Sequence, residues 1–368
     1  MPRNYFYFRE KLENIPETMK KLLLILIFSS YAISAASQSL PRIIVLSTGG
    51  TIAGQQPNTD RAGYIPGKIP VDELLQNIPL IKQKANIQGE QIASIGSYDM
   101  TVEIWLKLAR RINEIFAKNE ADGVVITHGT DTQEETAYFL SLTVASDKPV
   151  VLTGSMRPGT AISSDGPKNL YDAIIVASDI KSVGKGVLVC FNENVYEARH
   201  VMKVNTLNVN AFAAPNTGQV GQVYDGKVSY NASFSRNRGF VPFDISKTDT
   251  LPLVEIVYMY ADASNVAINA FINANHQGIV IAGTGNGSIN KAILESVKTA
   301  VIKNITVVRS SRVVSGKVTT QYVGPFDDAK LGTIASDGLN PQKARILLML
   351  ALTVTKDKDK IQEMFLTY

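Results

Sequence analysis

The sequence predicts an α/β protein of two domains, and three observations support this fold class. Short, almost purely apolar runs alternate along the chain with amphipathic stretches, as in parallel sheets that are covered by helices on both faces. Several of these runs end in loops rich in glycine and threonine. The alternation stops at a polar, irregular stretch, residues 231–250, and then restarts, which suits a chain of 368 residues.

The first domain, carrying the larger sheet, is predicted over residues 40–230. Its strands are predicted at residues 43–46, 123–126, 150–152 and 186–189. Thr101 is a good N-cap, and apolar residues recur at helical spacing from Trp105 onward, which predicts a helix after it. Glu134 and Glu135 open another helix, because acidic side chains suit the positive end of a helix dipole.

The second, smaller domain is predicted over residues 251–368, with residues 231–250 as the linker. Its strands are predicted at residues 253–260, 278–281 and 305–308, and its longest helix at residues 341–356. The glycine-rich loop 283–287 matches only the first half of a dinucleotide-binding fingerprint, so it is a weak signal.

The N-terminal segment has the organisation of a secretory signal peptide. Lys20 and Lys21 precede a seven-residue apolar run, which is followed by small residues suited to cleavage. The apolar run is too short to span a membrane. We therefore expect an exported protein whose leader lies within residues 1–36, with Met19 as the better start and residues 1–18 as an extension.

Composition excludes several classes of function. Cys190 is the single cysteine, so neither a disulfide framework nor a cysteine-based metal site is available. His128, His200 and His276 do not have metal-ligand spacing. The formal net charge of +4 is small and contains no basic stripe suited to nucleic acid. We expect no metal, no cofactor and no nucleic-acid partner.

Two loops that follow predicted strands, residues 48–51 and 128–132, carry hydroxyls, glycines and a carboxylate. Ligands bind at the carboxyl ends of parallel strands, and glycines leave backbone N–H groups free to face an oxyanion. A threonine hydroxyl could therefore attack an acyl carbon, activated by a lysine or a tyrosine because no histidine is placed in a nucleophile elbow. Two other interpretations remain open at this point: simple turns, or a loop that holds phosphate.

These loops resemble the two signatures of the bacterial type II, exported L-asparaginases. The sequences that carry the resemblance are IVLSTGGTIAG at 44–54 and VITHGTDTQEETA at 125–137, with further matches at 154–158, 165–171, 309–312 and 339–345. It extends from about Leu40 to Tyr368. It implies a C-terminal domain of flavodoxin-like or Rossmann-like type, a homotetramer with sites shared between subunits, and a periplasmic location without membrane attachment after cleavage.

The resemblance also implies a catalytic set. Thr51 matches the family's nucleophile, and Tyr64, on a mobile loop, matches the residue that helps to activate it. Thr130, Asp131 and Lys203 match the family's second threonine, its substrate-binding aspartate and its lysine. The implied reaction is attack by Thr51 on the side-chain amide of L-asparagine, loss of ammonia and hydrolysis of the acyl-threonine, with glutaminase activity beside it.

The substrate-binding positions follow the family pattern only in part. Ser97 matches a hydroxyl that contacts the substrate α-carboxylate, but Tyr98 stands where the family usually has glutamine. Asp262 stands where some relatives have asparagine, in a segment that reaches a neighbouring subunit's site. The segment 321–328 lacks a glutamate that some members place near the substrate ammonium, at about Gly324.

Three alternatives to an asparaginase stay open. The first is a glutaminase-asparaginase that prefers glutamine, because the two substrates differ by one methylene, which a pocket separates by roughly 10–200-fold. The second is a periplasmic amino-acid-binding protein that Tyr98 has impaired catalytically. The third, a cytosolic relative that acts in transfer-RNA amidation, is disfavoured by the leader and by the absence of an added RNA-binding domain.

Overall fold

The computed structural model describes residues 16–21, 39–56, 63–231, 243–320 and 327–368. The chain forms two units, Met1–Leu40 and Pro41–Tyr368. Of the predicted leader, residues 16–21 are described, and 17–21 are helical; its apolar run and cleavage region lie outside the described residues. In the part of the chain that is described, no helix is long and apolar enough to cross a membrane.

The second unit is built from alternating strands and helices. Its strands are β1 (Arg42–Gly49), β2 (Asn86–Ile95), β3 (Gly123–Thr127), β4 (Val150–Thr153), β5 (Val187–Phe191), β6 (Asn194–Glu197), β7 (Met202–Lys203), β8 (Phe212–Ala213), β9 (Gly221–Tyr224), β10 (Lys227–Tyr230), β11 (Val254–Tyr258), β12 (Gly278–Gly283), β13 (Thr306–Ser311) and β14 (Ile334–Ala335). Its α-helices are α1 (Val71–Gln76), α2 (Val102–Ala117), α3 (Gln133–Thr143), α4 (Gly166–Ser178), α5 (Val266–Asn273), α6 (Lys291–Ile302), α7 (Asp328–Leu331), α8 (Pro341–Val354) and α9 (Lys358–Thr367).

The larger sheet has the strand order β10-β9-β6-β5-β4-β3-β1-β2. The pairs β1–β2, β1–β3, β3–β4 and β4–β5 are parallel, whereas β5–β6, β6–β9 and β9–β10 are antiparallel. The predicted parallel sheet is therefore confirmed for its central strands. The antiparallel edge was not predicted, because β6, β9 and β10 are only four residues long and mostly polar.

Both faces of this sheet are buried, which explains why its strands are apolar at successive positions. In β1, Ile44 and Leu46 face a core formed with α2, α3 and α8, whereas Ile43 and Val45 face a second core formed with α1 and α4. Thr101 caps α2 as predicted, since its side chain accepts a hydrogen bond from the Ile104 N–H at 3.3 Å.

The smaller, C-terminal sheet has the order β11-β12-β13-β14 and is parallel throughout. The predicted α/β class with two sheets is thus confirmed. Helix α8 contacts both β12 and α3, so the C-terminal sheet is joined to the larger one through a shared apolar core. Of the predicted linker, residues 232–242 lie outside the described residues, and Phe243 and Ile245 are buried.

Candidate active site

Three loops meet at the carboxyl ends of β2, β1 and β3, which are neighbours in the sheet. Ser47 and Thr127 are paired in register, so the loops that begin after them leave the same edge side by side. Residues 51–53 form a 3-10 turn after β1, and residues 97–99 form another after β2. Both threonine-bearing loops therefore lie next to each other at this edge of the sheet.

Glycines allow the loops to touch at the level of the backbone. Gly50 has φ 78°, in the region that favours glycine, and a Cβ there would lie 2.3 Å from the Gly129 nitrogen. A Cβ on Gly129 would in turn lie 2.6 Å from Ser97 Oγ. The Gly50 N–H donates to the Ile95 carbonyl at 2.8 Å. The expectation that glycine N–H groups stay free is therefore wrong for Gly50, because this N–H secures its turn.

Thr51 and Tyr64 lie in direct contact. Their hydroxyl oxygens are 2.6 Å apart, and Thr51 is buried while Tyr64 is 38% exposed. The backbone next to Tyr64 is fixed by an antiparallel bridge between Gln55 and Ile65. The Tyr64 ring also packs against Gly54, because a Cβ added to Gly54 would lie only 2.7 Å from Tyr64 Cδ2. The structure thus brings together two residues that the sequence predicted as partners.

Thr130, Asp131 and Lys203 form a second hydrogen-bonded group. Lys203 Nζ donates to Thr130 Oγ1 at 2.9 Å and to Asp131 Oδ1 at 2.6 Å. The lysine side chain is 17% exposed, whereas the aspartate is 56% exposed. A partly buried ammonium group beside a hydroxyl is suited to orienting that hydroxyl, and the exposed carboxylate can meet a cation from solvent.

Ser97 connects the loop after β2 to the loop after β3. Its Oγ accepts the Asp131 N–H at 3.1 Å, and its carbonyl accepts the Thr132 hydroxyl at 2.7 Å. The Ser97 hydroxyl hydrogen is thereby left to donate elsewhere, which is the arrangement that binding a carboxylate requires.

Two predicted substrate-binding residues lie apart from these contacts. Tyr98 is 66% exposed, and its ring lies over Gly96, at 2.5 Å from a Cβ built there. Asp262 is exposed on the turn after β11, with φ 60°. Among the described residues, no hydrogen bond or ion pair links either side chain to Thr51 or Lys203. The residues around Gly324, where the sequence lacks a glutamate, lie outside the described ones.

His128 is fully buried and holds its loop. Its Nδ1 lies 2.7 Å from the Gly129 carbonyl and its Nε2 lies 2.9 Å from Thr136 Oγ1, which also accepts the Trp105 indole N–H. Burial lowers the pKa of His128 to about 4, against a smaller opposing effect of the Gly129 carbonyl. A neutral ring therefore donates from Nδ1 and accepts at Nε2, in a structural role.

Three residues that hold the backbone at Lys203 and just before it were not identified from the sequence. Glu134 accepts the Lys203 backbone N–H at 2.6 Å and the Asn340 side-chain amide at 2.9 Å. Lys343, fully buried, donates to the backbone carbonyls of Arg199 and Val201. Only the acidic opening of α3 and the helix predicted at residues 341–356 were visible in the sequence, and neither indicates a contact with Lys203. Among the described residues, no cluster of histidine, cysteine and carboxylate groups could hold a metal ion.

The fold is an α/β fold of two main sheets, and its site places Thr51 against Tyr64 and Thr130 against Lys203, with both threonines on loops that leave one edge of the larger sheet. Comparison with known proteins then gives the family. Residues 42–236 match the family model "Asparaginase, N-terminal", and residues 253–365 match "Glutaminase/Asparaginase C-terminal domain". The chain belongs to the asparaginase family.

Individual relatives are similar over almost their full length. "L-asparaginase 2" of Escherichia coli (strain K12) is 48% identical, covering 91% of this chain and 95% of its own. "Probable L-asparaginase periplasmic" of Haemophilus influenzae is 49% identical, covering 94% and 99%. "Glutaminase-asparaginase" of Pseudomonas fluorescens biotype A is 39% identical, covering 96% and 98%. The crystal structure of a probable cytoplasmic L-asparaginase from Campylobacter jejuni has a TM-score of 0.84 at 50% identity, covering 89% of this chain and all of that one.

Proposed function

We propose that the chain is an exported L-asparaginase that hydrolyses L-asparagine to L-aspartate and ammonia, with glutaminase side activity. The observation that carries the proposal is the 2.6 Å contact between the hydroxyls of Thr51 and Tyr64. A threonine hydroxyl is a weak nucleophile unless a neighbouring group takes its proton, and Tyr64 is within direct reach of it.

In the proposed first half-reaction, Thr51 Oγ1 attacks the side-chain amide carbon of the substrate. The threonine proton passes to the Tyr64 oxygen as the C–O bond forms, while the Tyr64 hydroxyl gives its own proton to the amide nitrogen. The tetrahedral intermediate then collapses, the C–N bond breaks, and the protonated nitrogen leaves as ammonia. The product of this half-reaction is an ester between Thr51 and the β-carboxyl group of aspartate.

Substrate orientation is assigned to the loops after β2 and β3. Asp131 is more than half exposed, so its carboxylate can receive the substrate ammonium in a charge-assisted bond. The Ser97 hydroxyl can donate to the α-carboxylate, because its oxygen already accepts the Asp131 N–H. Holding both ends of the amino acid places the amide carbon against Thr51 and reduces the entropic part of the barrier.

In the proposed second half-reaction, water attacks the acyl-threonine. Lys203 Nζ and Thr130 Oγ1 lie 2.9 Å apart, so the ammonium group can polarise the Thr130 hydroxyl, which we assign to orienting that water. The attacking water forms the new C–O bond, the ester C–O bond breaks, and the proton returns to Thr51. L-Aspartate leaves, and the free threonine is restored.

The test is ammonia release from L-asparagine and from L-glutamine by the chain that begins at Ser37. We expect turnover of both, with asparagine favoured, and a loss of about 10⁴-fold or more in kcat for Thr51→Val, which keeps the shape but removes the hydroxyl. Thr51→Ser, which keeps a hydroxyl, should retain activity well above that level.

The same measurement decides between the alternatives. A higher kcat/KM for glutamine would make the chain a glutaminase-asparaginase, a name that the Pseudomonas relative carries. If neither amide releases ammonia while isothermal titration still detects asparagine binding, the enzyme assignment is wrong and a binding protein takes its place.

Assembly and location belong to the same proposal. We infer a homotetramer in which Asp262 serves a neighbouring subunit's site, since Asp262 lies exposed beside Tyr258 and Tyr260, which are 57% and 55% exposed. Light scattering should give four times the chain mass. We infer a periplasmic location from the leader and from the periplasmic name of the Haemophilus relative. Release of the activity by osmotic shock would support it, and retention with cytoplasmic markers would contradict it.

A further inference from the structure

Lys203 is held at both ends by one short segment of chain. Its Nζ contacts Thr130 and Asp131, and its backbone N–H donates to Glu134 Oε2 at 2.6 Å. Thr130 and Glu134 flank the start of α3, so the loop that receives the ammonium group also fixes the backbone from which the side chain extends. The distance between the Lys203 backbone and the Thr130 hydroxyl is therefore set by contacts with residues 130–134 alone.

The strand that carries Lys203 offers little support of its own. β7 is two residues long, and in the part of the chain that the structure describes it pairs with β8 alone, which is equally short. The next backbone N–H, that of Val204, donates to Ala211 within this small ladder, whereas that of Lys203 leaves the ladder to reach Glu134. A four-carbon side chain on so short a strand needs a further anchor if its ammonium group is to stay in place.

Glu134, which anchors the Lys203 backbone, is itself held by the residue that caps α8. Glu134 is 6% exposed, and its Oε1 accepts the side-chain N–H of Asn340 at 2.9 Å. Asn340 is the N-cap of α8, where its Oδ1 accepts the Lys343 backbone N–H at 3.0 Å. The cap decides which end of the Asn340 amide faces Glu134, so the carboxylate receives one N–H donor on each oxygen.

The first turn of α8 also holds the chain just before β7. The Lys343 side chain is 2% exposed, and its Nζ donates to the carbonyls of Arg199, at 3.0 Å, and Val201. These carbonyls lie four and two residues before Lys203. The turn of α8 thus holds the backbone before the lysine directly, and it holds the lysine itself through Glu134.

We propose that Glu134, oriented by Asn340, is a positioning residue for Lys203, through which the first turn of α8 sets the reach of the Lys203 ammonium group to Thr130. Glu134 contacts the lysine backbone and not the reacting atoms, so its effect is exerted through Lys203. The proposal rests on the role in turnover that the proposed function gives to Lys203.

The first test is Glu134→Gln. A glutamine has one acceptor oxygen and one NH₂ group. Its NH₂ group must therefore face either the Lys203 N–H or the Asn340 NH₂, which places two hydrogen-bond donors against each other. We expect kcat to fall about 10- to 100-fold with KM changed by less than about threefold, because a displacement of the order of 1 Å at a reacting group costs this much. Glu135→Gln is the matched control, since Glu135 makes no described hydrogen bond to Lys203, and its kcat should stay within twofold.

The second test is rescue by Asn340→Asp. Alone, this substitution places two carboxylates against each other and should lower kcat as well. Combined with Glu134→Gln, the carboxylate introduced at the N-cap can accept from the glutamine NH₂ while it still caps α8, so complementary bonds return. The double variant should recover kcat to within about threefold of the unmodified enzyme, a coupling that independent effects would not produce.

Two outcomes overturn the proposal. One is a kcat per folded molecule for Glu134→Gln within twofold of the unmodified enzyme, even if the variant has lost thermal stability. The other is a double variant no better than the singles. If the unmodified chain releases no ammonia, the proposed function fails, and amide hydrogen exchange then decides the positioning separately. The Lys203 N–H must exchange faster in Glu134→Gln than in Glu135→Gln.

Discussion

The backbones of Gly50 and Gly129 lie so close that a single added Cβ on Gly50 would sit 2.3 Å from the Gly129 nitrogen. These glycines belong to the two loops that carry Thr51 and Thr130. The distance shows that the loops are packed against each other without side chains between them. The relative position of Thr51 and Thr130 is therefore set by a contact of backbone with backbone, which cannot adjust by side-chain rotation.

Gly50→Ala should disrupt this contact. The overlap is with backbone, which cannot rotate away, and φ 78° adds strain for any residue with a Cβ. We expect the free energy of unfolding to fall by about 3 kcal/mol or more, measured by urea denaturation, with activity lost. Gly184→Ala is the control: it has φ 76° and open space around it, so only about 1 kcal/mol of strain should appear. Equal losses in the two variants would show that the close contact is unimportant.

Tyr64→Phe removes only the hydroxyl that contacts Thr51. If that hydroxyl takes the threonine proton, kcat should fall by about 10² to 10³-fold, measured as ammonia release, with a smaller change in KM. Tyr224→Phe, at an 80% exposed position on β9, makes the same chemical change and should leave kcat unaltered. A Tyr64→Phe enzyme with full activity would transfer the role of proton acceptor to another group.

His128 should remain neutral throughout the range in which the enzyme is assayed. Burial lowers its pKa from 6.5 to about 4, because the charged ring would have no solvent around it. Heteronuclear NMR of ring-labelled histidine should show the His128 resonances as those of a neutral Nδ1–H tautomer, unchanged from neutral pH down to about one unit above that pKa. Titration near pH 6.5 would mean that the ring is hydrated and would reopen its assignment as a structural residue.

Glu135 should make the fold less stable as the pH rises. Burial, and then the neighbouring charge of Glu134, raise the pKa of Glu135 from 4.5 to about 7, with Arg345 and Lys343 opposing. Between these two values the folded state binds a proton that the unfolded state has released, so the free energy of unfolding decreases with increasing pH and levels off above about pH 7.

The check is Glu135→Gln, compared with the unmodified chain by urea denaturation at several pH values. The variant should gain relative stability from about pH 4.5 upward, reaching on the order of 3 kcal/mol above pH 7, at about 1.4 kcal/mol per unit of pKa shift. Glu103→Gln, at an exposed position in the first turn of α2, should give no such trend. A difference independent of pH would contradict the raised pKa.

Much of the fold follows from local pattern. Strands such as β3 and β12 are buried at every position and almost free of polar side chains, and this is a signal that a short window of sequence contains. β6, β9 and β10 gave no such signal. Their four residues alternate or are polar, and their place at the sheet edge depends on pairing partners rather than on their own composition.

The residues of the candidate site likewise differ in how far a local sequence pattern identifies them. Thr51 and Thr130 stand out in the sequence because strand ends followed by glycine and hydroxyl residues are local motifs. Lys203 could be named only through a resemblance, since a lysine in a polar stretch looks like any solvated lysine. Glu134 was predicted as a helix-opening acid, which it is, but its bonds to Lys203 and Asn340 were not visible.

What the sequence determined by itself is the alternation of apolar strands with helices and the position of the two threonine loops after strand ends. The tertiary structure alone decided which side chains meet: Lys203 reaches Glu134 across 69 residues of chain, and Asn340 reaches it across 206. The physical reason is that a hydrogen bond extends about 3 Å and is indifferent to chain separation. Its partners are fixed only when the two sheets and α8 have packed into one core.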